Sequence, residues 1–289
     1  MQTSSEPGQG SEPIRFYKLI RKGGPARNAD PYWIDRWFFR PWTVYLSWVF
    51  VKLGWSANFV TLLSAVSLVV GSVLLCFESN ALSLIGVALV VLYAGLDCCD
   101  GEVARYYRLT GQTGGGRDGS YWDNIVHGLE PVLVGCLAYR LYLTSGMGVW
   151  PLVVAAIDTT ALCVAPWQRC CEIIVSWVKD RRQSGVTDPL GDFELPDDDQ
   201  DAASSDMSLC RKWFAAVKQL LLFPGYFVTL PMAVILDLVV GPISLTDGAS
   251  QPIVLYWIAL WLLQHAVGKV LAAVRSTRRY ALWLSRISP

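Results

Sequence analysis

Residues 58–77 read NFVTLLSAVSLVVGSVLLCF and contain no charged side chain. A helix needs roughly 20 mostly apolar residues to cross a bilayer, because each residue adds only about 1.5 Å of rise. This segment therefore predicts a transmembrane helix and makes the chain a candidate membrane protein.

Five further segments are long and apolar enough to span, and the second and third candidates carry charge at one end only. With the first, the candidate spans are residues 58–77, 81–105, 120–143, 149–178, 220–240 and 253–274. A bilayer offers no water to unpaired backbone groups, so such segments are helical. The sequence predicts an all-α polytopic membrane protein with six transmembrane helices.

The segment before the first span is aromatic and basic but interrupted. Residues 31–55 contain Pro41 and four charged side chains between Asp35 and Lys52. Tryptophan, tyrosine and basic side chains favour the headgroup layer. We expect an N-terminal juxtamembrane amphipathic helix here, with a seventh span as the alternative.

The composition also indicates a lipid-facing surface. Hydrophobic residues make up 53% of the chain and charged residues 17%, whereas a soluble domain has about 25% charged residues. The formal net charge is zero, so no overall field attracts nucleic acid. Membrane lipid is the expected environment, and nucleic acid is not an expected partner.

Lysine and arginine are concentrated on one side of the predicted spans. The connections near residues 78–80, 144–148 and 241–252 hold none, and Arg140 is the exception near that side. Basic residues remain on the cytoplasmic side of a membrane. We therefore predict that both termini are cytoplasmic, which agrees with an even number of spans.

The remaining segments are polar. We predict a disordered cytoplasmic tail at residues 1–30 and a basic cytoplasmic tail at 276–289, on either side of a membrane domain at 31–275. Residues 183–208 form an acidic loop within that domain, and its low hydrophobicity is typical of a solvated linker.

Two aspartates lie at the polar end of the second span, in GLDCCDGEVARYYR at residues 95–108. Asp97 and Asp100 are three residues apart and therefore share a helix face. Carboxylates at a membrane edge are costly, and two neighbouring ones repel each other unless a cation joins them. Hard oxygen ligands suit Mg²⁺ or Mn²⁺. Gly101 has no side chain, so phosphates can approach the backbone there.

The third span opens with GSYWDNIVHG at residues 119–128. Asp123 and His127 are four residues apart and share a face. A hairpin would bring them opposite Asp97 and Asp100, which predicts an active site at the cytoplasmic membrane face. The alternative is four ordinary interfacial polar residues at helix ends.

These residues resemble the signature of the CDP-alcohol phosphotransferases, also called CDP-alcohol phosphatidyltransferases. That signature is Asp-x2-Asp-Gly-x2-Ala-Arg, a linker, and Gly-x3-Asp-x3-Asp. The first half is matched by Asp97, Asp100, Gly101, Ala104 and Arg105, and the second by Gly119 and Asp123. The likeness covers roughly residues 30–275, and the signature is specific because it places several polar residues in apolar segments.

The chain departs from this signature in two ways. The last position holds His127 instead of aspartate, and the linker between the halves has thirteen residues instead of the usual eight or nine. A rival register uses Asp118 in place of Asp123, but it puts Trp122 at the last position. We prefer the first register because it leaves a competent base on the metal-facing side.

The resemblance implies metal-dependent transfer of a phosphoalcohol group from a CDP-linked donor to an acceptor hydroxyl, with release of CMP. Phosphatidyl is the leading candidate for the transferred group, and phospholipid biosynthesis is the implied pathway. The acceptor would be a small polar alcohol or diacylglycerol, and the family suggests a homodimer. The residues concerned would be Asp97, Asp100 and Asp123 for Mg²⁺ or Mn²⁺, His127 as catalytic base, and Gly101, Ala104, Arg105 and Gly119 for the substrate.

Other functions remain open. The first is transfer of a CDP-amino alcohol to diacylglycerol, the second is a cation-coupled transporter, and the third is an inactive scaffold, which His127 suggests. Coupling ions of transporters lie near the membrane midplane. Acidic residues clustered at one membrane edge therefore favour the enzyme over the transporter.

Overall fold

The computed structural model of the 289-residue chain describes residues 12–22, 34–111, 119–163, 225–243 and 252–287. Helices dominate these ranges, which contain no strand. The all-α prediction is confirmed for this part of the chain. The acidic loop predicted at 183–208 lies outside the described residues, as does the end of the fourth predicted span.

Nine α-helices are found in the described ranges, and a π-helical turn at Asp35–Phe39 precedes the second. They are α1 Glu12–Lys22, α2 Arg40–Lys52, α3 Ala57–Leu75, α4 Asn80–Thr110, α5 Gly119–His127, α6 Glu130–Thr144, α7 Trp150–Cys163, α8 Tyr226–Val240 and α9 Ile253–Ile287.

Three of the helices are long and apolar enough to cross a bilayer. They are α3, α4 and the Ile253–Val274 part of α9, whereas α7 and α8 are shorter apolar helices. These results agree with the first, second and sixth predicted spans. The total of six spans stays a prediction.

The α3–α4 hairpin is closely packed. The Ser56 side chain caps the start of α3 by accepting a hydrogen bond from the Phe59 N–H, and Gly111 ends α4 with a positive φ. A Cβ atom on Gly71 or on Gly86 would lie 2.8 Å from the other glycine's carbonyl oxygen. Such small residues let two membrane helices approach backbone to backbone.

Helix α3 has its apolar side outward. Leu62, Val66, Val70 and Val73 are exposed along one stripe, whereas the buried serines bond to carbonyls of their own helix, as Ser72 does to the Leu68 oxygen at 2.6 Å. An apolar outer stripe over polar inner side chains suits a lipid environment and is unfavourable in water. The chain is therefore a membrane protein.

Helix α2 is attached to α4 by a buried polar contact. Glu102 on α4 accepts hydrogen bonds from Arg40 at 3.0 Å and from Ser47 at 2.7 Å. Pro41 lies in the first turn of α2, directly after the π-helical turn Asp35–Phe39. Residues 40–52 are thus helical and α2 is not interrupted at Pro41, but the amphipathic helix predicted within residues 31–55 is not confirmed. Its juxtamembrane position stays a prediction.

Residues 12–22 differ from the disordered segment predicted for residues 1–30. Helix α1 packs against α2 through the buried side chains of Phe16, Ile20 and Val44, and the Phe16 ring lies 5.3 Å from that of Tyr106. Disorder is therefore the wrong prediction for Glu12–Lys22. Its amphipathic pattern lets this short helix bury one face, which offsets the entropy of ordering it.

The third predicted span, residues 120–143, is two helices instead of one. Helix α5 ends at His127 and α6 begins at Glu130. Pro131 occupies the first turn of α6, where it starts a helix but cannot continue one. The break brings two polar side chains, His127 and Glu130, next to each other inside the bundle.

Helix α9 is capped from a distance. The Asp237 side chain near the end of α8 accepts a hydrogen bond of 2.7 Å from the Ile253 N–H, which satisfies one of the free donors of the first turn. Helix α9 then continues past the predicted span end at residue 274 to Ile287. The predicted basic tail at 276–289 is thus largely helical.

Candidate metal centre

Three side chains from two helices meet at one point. The Nε2 atom of His127 lies 3.5 Å from Asp97 Oδ1 on α4 and 3.5 Å from Asp123 Oδ1, one turn earlier on α5. One ligand atom from each residue lies within 4.8 Å of the other two. The structure therefore brings three of the four predicted site residues together.

This spacing fits a shared ion. Around an ion with ligands at about 2.1 Å, neighbouring ligand atoms lie about 3.0 Å apart in octahedral geometry and about 3.4 Å apart in tetrahedral geometry. The 3.5 Å separations at His127 are close to these values. Two carboxylate oxygens and an imidazole nitrogen are donors that Mn²⁺ and similar divalent ions accept.

Asp100 lies one turn after Asp97 and has a different partner. Its Oδ2 atom accepts a hydrogen bond of 2.7 Å from the Thr61 hydroxyl on α3, and both side chains are buried. Asp100 is not in the three-residue group found in the described part of the chain. Thr61 was not singled out from the sequence, because a lone threonine in an apolar span carries no distinguishing pattern.

The other side of the His127 ring is held from deeper in the bundle. Its Nδ1 atom lies 3.1 Å from Glu130 Oε1 and 3.3 Å from the Tyr93 hydroxyl. Sequence analysis missed both residues. The sequence did contain a signal for Glu130, because it is a carboxylate within an apolar segment and lies three residues after His127.

Exposure falls steadily across this site. The side chain of Asp123 is 40% exposed, that of His127 27% and that of Glu130 8%. The site therefore opens on the Asp123 side, and Glu130 forms its closed end.

The predicted substrate residues follow Asp100 along α4. A Cβ atom on Gly101 would have the Arg105 Nη2 atom as its nearest neighbour, at 3.7 Å. A guanidinium thus lies beside a position that no side chain fills, an arrangement that suits a phosphate group. Ala104 instead packs against the apolar cluster that contains Val60. Gly119 begins α5.

The position of the site along α4 agrees with a membrane edge. Asp100 lies 20 residues after Asn80, the first residue of the helix, which is about 30 Å along the helix axis. The hydrocarbon core of a bilayer is about as thick. Asp118, which belongs to the rival register, lies outside the described residues.

A second polar pair is completely buried. Asp158 Oδ2 on α7 lies 2.7 Å from His265 Nδ1 on α9, with exposures of 0% and 1%. The Trp261 ring stacks on His265 with centroids 4.8 Å apart. The outer atoms of the pair, Asp158 Oδ1 and His265 Nε2, have no hydrogen-bond partner in the described part of the chain.

The comparison with protein families gave one finding for this chain. A family model described as CDP-alcohol phosphatidyltransferase matches residues 55–178. The match begins just before α3 and includes Asp97, Asp123, His127 and Glu130, although it is narrower than the likeness over residues 30–275 that the sequence suggested. A comparison with curated proteins found no match.

Proposed function

We propose, on the premise that the chain carries a CDP-alcohol phosphatidyltransferase domain over residues 55–178, that it transfers a phosphatidyl group from a CDP-linked lipid to a small polar alcohol. The domain makes the chain a phosphotransferase enzyme. The observation that carries the proposal is the meeting of Asp97, Asp123 and His127 Nε2, with both carboxylate oxygens 3.5 Å from the nitrogen. Phospholipid biosynthesis is the pathway that this reaction serves.

The reaction exchanges one phosphate ester bond for another. The acceptor oxygen bonds to the phosphorus that carries the lipid, and the bond from that phosphorus to the bridging oxygen breaks. CMP leaves with the bridging oxygen, and the hydroxyl proton passes to a base in the site. A divalent ion, when bound, supplies positive charge for the diphosphate and for departing CMP.

The residues of the site divide this work. Asp97, Asp100 and Asp123 are the proposed holders of Mg²⁺ or Mn²⁺, which the family generally requires. Arg105, beside the bare backbone of Gly101, faces the donor's phosphates in this proposal and opposes their charge. Arg105 and Gly101 lie on the same rigid helix, α4, so they orient the donor as well as bind it.

His127 has two roles open to it. As the predicted base it takes the hydroxyl proton through Nε2. The same nitrogen faces Asp97 and Asp123 at equal distance, and a ligand role competes for it.

Placement in the membrane is part of the proposal. We place both termini and the active site on the cytoplasmic side of a multi-pass protein, since the basic connections alternate with uncharged ones. The position of Asp100 along α4 supports a site at a membrane edge. Assembly as a homodimer is likewise proposed from the family.

The test is release of CMP by membranes that contain the full chain. CDP-diacylglycerol is supplied with a panel of small polar alcohols, and a parallel arm supplies a CDP-amino alcohol with diacylglycerol. Mg²⁺, Mn²⁺ or a chelator is added to each, and membranes with Asp97→Asn/Asp123→Asn serve as control.

We expect alcohol-dependent CMP release from CDP-diacylglycerol that the chelator abolishes and the double variant lacks. CMP release only from the CDP-amino alcohol with diacylglycerol would mean that the donor is a CDP-amino alcohol instead of CDP-diacylglycerol. Absence of release in both arms would contradict the proposed transferase function.

A further inference from the structure

Carboxylates lie near both ring nitrogens of His127. We propose that Nε2 of His127 is a ligand of the metal ion and that Glu130 is the positioning residue that holds it there. A histidine–carboxylate pair would then take the place of the last aspartate of the family signature. This inference rests on the proposed function, because it concerns the same site.

The distances at Nε2 favour a shared ion over a hydrogen bond. A hydrogen bond between nitrogen and oxygen spans about 2.7–3.2 Å. Asp97 Oδ1 and Asp123 Oδ1 both lie 3.5 Å from Nε2, which is too long for a good hydrogen bond. The same 3.5 Å suits three ligand atoms arranged around one ion, as the spacing above shows.

The distances at Nδ1 indicate which nitrogen carries hydrogen. Glu130 Oε1 lies 3.1 Å from Nδ1, within hydrogen-bond range, and an ionised carboxylate only accepts. The Nδ1 atom therefore donates to Glu130. In the neutral imidazole, which is the form that binds a metal ion, the lone pair of Nε2 then faces the two aspartates. Three electron-rich atoms that face one another repel, and a cation between them removes the repulsion.

The fold holds the Glu130 side chain in a buried position next to His127. That side chain is 8% exposed, and Glu130 begins α6 directly after the break that follows His127. The Tyr93 hydroxyl lies 3.3 Å from the same Nδ1 atom. Ligating histidines in proteins generally donate their second nitrogen to a carboxylate, which fixes the tautomer and the ring orientation. Glu130 makes that contact here.

Two consequences follow for this chain's chemistry. A nitrogen ligand among carboxylates moves the preference of a site from Mg²⁺ toward Mn²⁺ and later transition metals. A ligated Nε2 has no lone pair for the acceptor's proton. The carboxylate of Asp123, the most exposed of the three groups, then receives the proton on the oxygen that does not bind the ion.

The experiment detects the nitrogen directly. Full-length protein, purified in detergent through a tag without histidine, is loaded with Mn²⁺ and examined by electron spin-echo spectroscopy for ¹⁴N coupling. The chain contains two histidines, so an imidazole signal comes from His127 or His265. Stoichiometry of Mn²⁺ binding is measured on the same samples.

We expect ¹⁴N coupling in the wild-type protein and in the control His265→Gln. His127→Asp should bind Mn²⁺ without ¹⁴N coupling and should shift the competition between ions toward Mg²⁺. Glu130→Gln keeps the shape but weakens the acceptor, and we expect Mn²⁺ affinity to fall about tenfold or more, the usual effect of removing such a partner. Glu130→Asp should restore part of that loss.

Bound Mn²⁺ without ¹⁴N coupling in the wild-type protein would overturn the inference, as would coupling that survives in His127→Asp. A wild-type protein that binds no Mn²⁺ would overturn it too. The proposed function fails separately: ¹⁴N coupling without CMP release would keep the ligand and remove the reaction. Metal-dependent CMP release without coupling would do the reverse.

Discussion

At the scale of single residues, the site consists of carboxylates that the surrounding helices make expensive to bury. An unpaired carboxylate in an apolar environment is strongly disfavoured. Asp100 meets this cost with a hydrogen bond from Thr61, and Asp97 lies beside the imidazole of His127. These polar contacts thus offset the free-energy cost of burying the carboxylates, whatever the side chains do in function.

We predict that Asp97→Asn, Asp100→Asn and Asp123→Asn each abolish CMP release, because the amide keeps the shape of the side chain and loses the charge that holds a divalent ion. Asp118→Asn is the matched control for the rival register and should remain active. CMP release is measured in membranes with equal amounts of each variant. Loss of activity in Asp118→Asn with an active Asp123→Asn would reverse the choice of register.

We predict that Thr61→Val raises the Mn²⁺ concentration needed for half-maximal CMP release about tenfold, as expected for loss of a hydrogen bond to a ligand. Valine fills the same volume without the hydroxyl that bonds Asp100. The control is Thr61→Ser, which keeps a hydroxyl at this position. Equal metal requirements in the two variants would show that the hydroxyl does not position Asp100.

At the scale of helices, polar contacts between distant segments determine which helices are neighbours. Glu102 joins α2 to α4, and Asp158 joins α7 to α9 through His265. Within a bundle surrounded by lipid, apolar contact alone distinguishes poorly between partners, because lipid tails are as apolar as leucine. The buried polar contacts between α2 and α4 and between α7 and α9 supply specificity that apolar contact lacks.

We predict that Asp158→Leu and His265→Leu each destabilise the protein by about 3 kcal/mol, because each leaves a buried polar group without its partner. The double variant should be more stable than either single one. Unfolding in detergent at increasing denaturant concentration gives the four free energies of a double-mutant cycle. Additive losses would mean that the contact of 2.7 Å does not couple α7 to α9.

At the scale of the whole molecule, many apolar side chains of the described helices are exposed, and the structure explains the exception to the predicted charge pattern. Arg140 was the basic residue on the wrong side of the predicted topology. The structure buries it on α6, where it donates to Ser83 Oγ at 2.8 Å and to the Leu75 carbonyl near the end of α3 at 3.4 Å. A buried arginine bonded to a helix C-terminus does not report on the side of the membrane.

We predict that tags at the N and C termini are both accessible from the cytoplasmic side, and that a tag inserted after Ser145 is protected. The basic segments remain on that side, and an even number of spans returns the chain to it. Protease digestion of sealed vesicles measures the accessibility of each tag. Protection of one terminus alone would require an odd number of spans.

Local patterns were sufficient to predict α3, α4 and the apolar part of α9, and the proximity of Asp97, Asp123 and His127. The apolar run at residues 58–77 is long enough to form a spanning helix whatever its neighbours are. The intervals of three between Asp97 and Asp100, and of four between Asp123 and His127, place each pair on one helix face for the same local reason. The roles of these four residues stay predictions.

Contacts between segments far apart along the chain were decided by the tertiary structure alone. The partner of Asp100 is Thr61, 39 positions away, and the partner of Asp158 is His265, 107 positions away. A helical pattern states which side chains share a face but not which helix that face meets, since apolar faces are interchangeable. The break before Glu130 and the packing of α1 also depend on neighbours, because each requires burial against another segment to offset its cost.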